Sequence, residues 1–161
     1  MKPEEIYEVL TKQFSENVLN FDTELAGDPS IHVTPSAIAD VCQYLAETDS
    51  LAFDSLMCLS GLDLNANDEE FAVVYHIHSM RHRHSVVIKA LIPKTNPHLP
   101  SVSHIWKTAD WHEREAYDLY GIFFEGHNDL RRILLPDDWE GYPLRKDYKE
   151  PEFYRGMRVP Y

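Results

Sequence analysis

The chain has 161 residues and a formal net charge of −12. That length suits one domain with an extension, and it can bury roughly 70% of the unfolded surface without disulfide or metal staples. So acidic a balance argues against a nucleic-acid or anionic-lipid partner, because phosphates would be repelled.

In chain order, Pro3 to Phe14 reads as a helix, with Ile6, Val9, Leu10 and Phe14 on one apolar stripe. Val18 to Leu25 reads as a strand that ends at the Gly27-Asp28-Pro29 turn, and Ile31 to Val33 as a short strand. Ser36 to Thr48 is a second helix with Ile38, Val41, Cys42 and Leu45 on one face. Leu51 to Leu64 is apolar with small residues, which predicts a strand bulged at Gly61. Asn65 to Glu70 is an acidic turn. Phe71–Ser79 and His84–Ile92 are rich in β-branched residues, and with Met80-Arg81-His82-Arg83 between them they predict a hairpin with a basic tip. Pro93 to Pro100 is expected to be irregular.

A short helix opens near Asp110, whose spacing to Glu113 is that of a capping box, and Gly121 suits its left-handed stop. This order predicts an α+β fold: a sheet of about four strands, antiparallel or mixed, with helices on one face. The body is expected over 1–122 and an extended arm over 123–161.

Cys42 and Cys58 stand apart in apolar surroundings with no CxxC pair, which reads as free buried thiols in a reducing compartment. The acidic N-terminus lacks a signal-peptide pattern. No run approaches the ~20 apolar residues of a membrane span. A soluble, cytoplasmic protein is expected, with membrane association only through a complex.

Nine histidines invite a metal reading. His76 and His78 are two apart on a strand and share a face, and His82 and His84 flank the hairpin tip. Zinc wants three or four converging ligands, whereas Arg81 and Arg83 stand among these candidates and would repel a cation. His112-Glu113-Arg114-Glu115 matches only the start of HExxH, since Ala116 stands where the second histidine belongs. His112, Ala116 and Leu119 share a helical face that is expected to meet the sheet. Glu113 and Glu115 do not share a face, so capping and ion pairing with Arg114 compete with any catalytic role. No phosphate-binding or nucleophile-elbow motif occurs.

The arm is the positive signal. Residues 1–130 hold 8 Lys and Arg against 21 Asp and Glu, whereas residues 131–161 hold 7 against 6. There Arg131-Arg132, Arg145-Lys146-Asp147, Arg155 and Arg158 interleave with Trp139, Tyr142, Tyr148, Phe153, Tyr154 and Tyr161. Arginine and aromatic residues are the types that anchor protein interfaces. Pro136, Pro143, Pro151 and Pro160 keep the arm extended and lower its ordering cost. The competing reading is a tail that wraps its own domain.

The stretch from Trp106 to Tyr148 resembles the signature of the 30 kDa-type subunit, the C subunit, of the proton-translocating NADH:quinone oxidoreductase, respiratory complex I. The matching residues are Glu113-Arg114-Glu115, Tyr117-Asp118-Leu119-Tyr120-Gly121-Ile122, Phe124-Glu125-Gly126-His127 and Asp129-Leu130-Arg131-Arg132-Ile133-Leu134. They continue through Pro136-Asp137-Asp138-Trp139 and Pro143-Leu144-Arg145-Lys146-Asp147-Tyr148. Asn128 stands where family members often have proline, and Tyr142 where many have histidine.

The resemblance is to the stand-alone bacterial form. It implies a non-catalytic, peripheral-arm subunit at the cytoplasmic face of the inner membrane. It implies partners within complex I: the D subunit foremost, then the B and I subunits. The complex would use FMN, Fe-S clusters, NADH and quinone, with no cofactor bound by this chain. On that reading Arg131, Arg132, Arg145, Lys146 and Asp147 are charged interface contacts, and Trp139 and Tyr148 are aromatic anchors. Alternatives are the equivalent subunit of a hydrogenase-type or ferredoxin-driven complex, or a small metalloenzyme using His76 and His78.

Overall fold

The structure, a computed structural model, describes residues 1–23, 28–64 and 69–159. Helix α1 (Pro3–Phe14) leads into strand β1 (Val18–Asp22), which pairs antiparallel with β2 (Ser30–Val33). Leu25 and Gly27 of the expected strand and turn lie outside the described residues, as do residues 65–68 of the acidic turn and Pro160 and Tyr161 of the arm. Helix α2 (Ile38–Glu47) starts from a single tight turn at Pro35–Ala37. Strands β3 (Ser55–Leu62), β4 (Glu70–Ser79) and β5 (His84–Pro93) form an antiparallel meander. Because α2 carries the chain from β2 to the far edge, the meander returns β5 alongside β2 in parallel.

The result is a five-stranded mixed sheet in the order β1-β2-β5-β4-β3, one strand more than expected because β1 and β2 both join it. Side chains alternate along β4 and β5, so Phe71, Val73, Tyr75, Ile77, Val86, Ile88, Ala90 and Ile92 point to one core. Ile6 and Leu10 of α1, Val41 and Leu45 of α2, and Ala109 and Ala116 of the third helix fill the same core. All three helices therefore cover one face. Truncating a fully buried member such as Ile88 to alanine would cost ~2–5 kcal/mol.

Two local expectations are corrected. The irregularity in β3 falls between Leu56 and Cys58, not at Gly61. Gly61 is needed for another reason: a Cβ there would sit 2.9 Å from the Tyr120 ring. The proline-rich segment is also not wholly irregular. His98–Pro100 forms β6, which pairs in parallel with β7 (Phe123–Glu125). Pro100 is tolerated because this ribbon has only two strands and open edges.

Before α3 (Ala109–Tyr120), Trp106 Nε1 donates to the Phe53 carbonyl at 3.0 Å, which fixes the loop beneath the helix. Gly121 ends the helix at φ +72°, as its sequence position predicts. The described chain finishes with a two-residue-per-strand hairpin, β8 (Phe153–Tyr154) and β9 (Met157–Arg158).

Candidate functional site: an arm seated on the polar face of a helix

Helix α3 buries charge. Glu113 and Asp118 are fully inaccessible and Arg114 nearly so. The predicted capping box does not form: Thr108 takes the N-cap position but donates its hydroxyl to the Leu56 carbonyl at 3.3 Å instead of capping the helix, and Glu113 turns inward. Its Oε1 accepts the Val102 N–H at 2.7 Å and its Oε2 lies 2.6 Å from Ser101 Oγ. Burial pushes the Glu113 carboxyl up to about 7 against those two bonds, and the neighbouring Asp110 charge adds to the rise.

Arg114 and Asp118 hold the arm by its backbone. Arg114 Nε and Nη2 donate to the carbonyls of Arg131 and Arg132, both at 3.3 Å, while its guanidinium lies over Trp111. Asp118 Oδ2 accepts three successive N–H groups, from Ile133, Leu134 and Leu135, at 3.0, 2.7 and 2.9 Å. Asp118 Oδ1 pairs with Arg132 Nη1 at 2.8 Å. Burial would raise the Asp118 pKa, but the Leu135 N–H, the Arg132 cation and the other two N–H groups outweigh it and hold the carboxyl below the usual range.

Arg132 and Arg145 both act within the chain. Arg132 also donates to the carbonyls of Asp118, Trp139 and Gly141, each at 3.1 Å, and lies over the Tyr142 ring. Arg145 Nε donates to the Tyr120 carbonyl at 2.6 Å, and its guanidinium contacts the faces of Tyr142 and Phe71, 4.5 and 5.1 Å from their centroids. Tyr142, the departure from the family pattern, thus supports two cations. Leu144 N–H bonds the Leu119 carbonyl, and Lys146 N–H bonds Asp63 Oδ2 at 2.9 Å. Asp63 in turn pairs with Lys94 at 2.6 Å. From Arg131 to Lys146 the arm therefore lies against its own body, which the reading of a self-wrapping tail anticipated for the part before Pro143.

The other singled-out residues are placed differently. Arg131 is exposed and paired only with its neighbour Asp129, a surface contact of little energetic weight. The Lys146 side chain and Asp147 are exposed. Trp139 and Tyr148 meet through Nε1–H to the phenol oxygen at 3.1 Å. Beyond them, Asp138 receives Tyr154 and Arg155, which hold its exposed carboxyl at about 2. Four large apolar side chains of the arm are exposed among its charged ones: Leu134, Leu144, Phe153 and Met157 are 62, 47, 59 and 65% exposed.

Of the histidines, His82 and His84 stack with ring centroids 5.6 Å apart, but each is turned to its own hydrogen-bond partner. His78 bonds Ser85, while His82 and His84 bond the carbonyls of Asp49 and Leu51. Among the described residues no three His, Cys, Asp or Glu side chains cluster as metal ligands. Cys42 is buried, and burial pushes its thiol up, away from the thiolate a cluster requires. Cys58, on β3, is half-buried rather than buried. A shallow groove of about 240 Å³ between β3 and α3 is lined by Leu59, Ser60, His112, Glu115, Tyr120 and Leu144, and no hydrogen bond joins Ser60, His112 and Glu115 into a relay among the described residues. No helix among the described residues is long and apolar enough to cross a membrane.

Comparison with known proteins gives a concordant result. Residues 31–154 match the family described as respiratory-chain NADH dehydrogenase, 30 Kd subunit. A protein named as the C subunit of NADH-quinone oxidoreductase from Chloroherpeton thalassium is 46% identical over 96% of this chain and 64% of its own length. One of the same name from Salinispora tropica is 46% identical over 83% of this chain and 56% of its own length. Another from Chlorobium phaeobacteroides is 40% identical over 96% and 93%. The chain thus spans less than two thirds of the first two relatives and nearly all of the third.

A trypsin-resistant fragment of Nqo5 superposes with a TM-score of 0.62 at 30% identity, over 76% of this chain and 97% of the fragment. A chain of an archaeal membrane-bound sulfane sulfur reductase shares the fold, with a TM-score of 0.73 at 23% identity over 91% and 85%. By sequence and by fold, the chain belongs to the 30 Kd subunit family of the respiratory-chain NADH dehydrogenase.

Proposed function

We propose that this chain is a structural, peripheral subunit of a membrane-bound NADH:quinone oxidoreductase, in which the arm presents a surface to neighbouring subunits. The observation that carries this is the two-sidedness of the arm. Its inward groups are spent on α3, while its outward side offers Leu134, Leu144, Phe153 and Met157 to solvent. Exposed apolar side chains interspersed along the arm with exposed Arg131, Lys146 and Asp147 are the residue mix of an interface. The Nqo5 fragment covers 76% of this chain, which supports a body followed by an arm, but the expected boundary at 122/123 shifts to after β7, because Phe123–Glu125 pairs with β6 and Phe124 is buried in the core.

On this reading, electrons pass from NADH through FMN and Fe-S centres to quinone, coupled to proton translocation, in other subunits. The D subunit is the foremost partner, followed by the B and I subunits, at the cytoplasmic face of the inner membrane. The donor set supports this reading: iron–sulfur ligation needs clustered thiolates, and Cys42 and Cys58 do not supply them. Arg131, Lys146, Asp147, Trp139 and Tyr148 are the contacts assigned to partners, while Arg132 and Arg145 shape the arm that presents them.

The test is purification of the tagged chain from its native membranes after mild detergent extraction. Co-purification with Fe-S and membrane subunits, and NADH-dependent quinone reduction, is expected. Partners that carry a nickel site or lack an NADH module would move the chain to a sister complex. Recovery of a lone chain would overturn the assignment.

A further inference from the structure

The root of the arm, residues 126–132, meets the body at a buried cluster that the assembly role does not use. The His127 side chain is inaccessible, with Nε2 lying 3.9 Å from Glu113 Oε2 and 3.2 Å from both Asp110 Oδ1 and the Asp110 carbonyl. The other ring nitrogen, Nδ1, accepts the Asp129 N–H at 3.0 Å. That bond fixes the tautomer. The ring proton is on Nε2, and a second proton on Nδ1 would face the Asp129 N–H head to head. While the root is seated, Nδ1 is occupied as an acceptor, and the ring turns Nε2 toward Asp110 and Glu113.

Nothing else that faces Glu113 among the described residues can neutralise it. Within reach of its charge are Cys42 on α2 and Tyr75 on β4, both neutral groups whose ionisation burial, and then that charge, opposes. From its own helix it meets Asp110, which is acidic. From the loop before α3 it meets Ser101. Arg114, the nearest cation in sequence, is turned to the arm carbonyls.

We infer that Glu113 is a buried proton-binding site that seats the root of the arm: its carboxyl keeps a proton while Asp129 N–H occupies His127, and loss of that proton loosens residues 127–132 from α3. The hydrogen-bond chain supports both states. With the proton present, Glu113 donates to Ser101 Oγ, and Ser101 donates to Ser103 Oγ at 2.7 Å. With the proton gone, Ser103 donates to Ser101 and Ser101 donates to the carboxylate. Ser103 is half-buried, so this relay connects the interior carboxyl to the surface. Ionisation then leaves two negative charges, at Asp110 and Glu113, around one neutral ring. Relief comes when the Asp129 N–H leaves Nδ1 and the root lifts, which admits water to the carboxylates.

The sign follows from burial. Glu113 titrates at about 7 in the folded chain against 4.5 ordinarily. Its contribution is intact below 4.5 and is lost as pH rises to about 7, then stays lost. Two and a half units at tenfold each make roughly a 300-fold change in the folding equilibrium across that window.

The experiment compares the full chain with Glu113→Gln, an uncharged isostere that donates to Ser101 and accepts from Val102 as the acid does. Denaturant unfolding and amide exchange are followed from pH 4.5 to 8. The ratio of the two folding constants is expected to change roughly 300-fold over the window. Exchange at Asp129, corrected for its intrinsic rate, should accelerate above pH ~7 in the parent only. A flat ratio, or Asp129 exchange that accelerates equally in the variant, overturns the inference. Should the variant not fold, carboxyl NMR of the parent decides alone: one glutamate titrating at about 7 supports the site. Every glutamate titrating near the ordinary 4.5 overturns it. Neither readout depends on assembly, so its failure is separate from failure of the proposed subunit role.

Discussion

Replacing Asp118 by alanine removes the largest single attachment of the arm. Three N–H groups and the Arg132 guanidinium lose one fully buried carboxylate. Removing one member of a buried ion pair costs ~3–5 kcal/mol when the other charge is left uncompensated. Here Arg132 keeps three backbone carbonyls, at Asp118, Trp139 and Gly141, and Ile133 and Leu135 are only half-buried. The expected cost is therefore the lower end, about 3 kcal/mol.

The loss is local, because the N–H groups of residues 133–135 can take water once the segment lifts, while the sheet core is untouched. Amide exchange at residues 133–135 should then accelerate roughly 100-fold, since about 1.4 kcal/mol is a factor of ten. Exchange in β4 and β5 should stay unchanged. Asp118→Asn, which keeps an acceptor oxygen but no charge, should fall between. If residues 133–135 remain as protected in Asp118→Ala as in the parent, the carboxylate is not what holds the arm.

Further expectations rest on the same contacts. The Asp118 contribution is present above the ordinary carboxylate range and is lost as pH falls through its depressed pKa, so acid should free residues 132–135 before the core melts, as read by exchange at pH 2 to 4. Gly121→Ala combines a left-handed φ with a Cβ 2.6 Å from Arg145 Nη2 and Tyr142, and should lower stability by ~1–2 kcal/mol or more in denaturant unfolding. Arg145→Ala should leave the isolated body folded yet lower the yield of intact complex. Arg145→Lys should recover little of that yield, because a lysine lacks the planar face set against Phe71 and Tyr142. Leu134→Glu should leave stability within about 0.5 kcal/mol, since the side chain points to solvent, and should impair assembly.

Most of the body was legible in sequence because its signals are local. The meander follows from β-branched runs around a polar tip, and α1 and α2 from their apolar stripes. The stop at Gly121 follows from its freedom at positive φ. What escaped were features whose partners lie far along the chain. β6 is three residues between prolines, and its reason to exist is β7, some 25 residues later. The inward turn of Glu113 was invisible for the same reason. A carboxylate near a helix start reads as a cap, and nothing local announces that Ser101 and Val102 wait beneath it. Glu113 and Glu115 offered Arg114 a local ion pair, yet in the fold Arg114 bonds the arm, as Asp118 does. Their partners are backbone groups, which carry no signature in a sequence. The nearest available sign was compositional: a helix with so few apolar residues needs another way to be covered.

That backbone attachment has a consequence for which substitutions the molecule can absorb. Arg114 grips carbonyls and Asp118 grips N–H groups, so every residue type except proline can supply what α3 asks of positions 133 to 135. The burden of chemical identity moves off the arm and onto the helix. The exposed side chains at 131 and 134 can then be exchanged to suit whatever lies against them without disturbing the mooring, whereas a change at Arg114, Asp118 or Arg132 alters the path of the whole segment at once. Grip and outward display are thus written at separate positions, so one can be retuned while the other holds still.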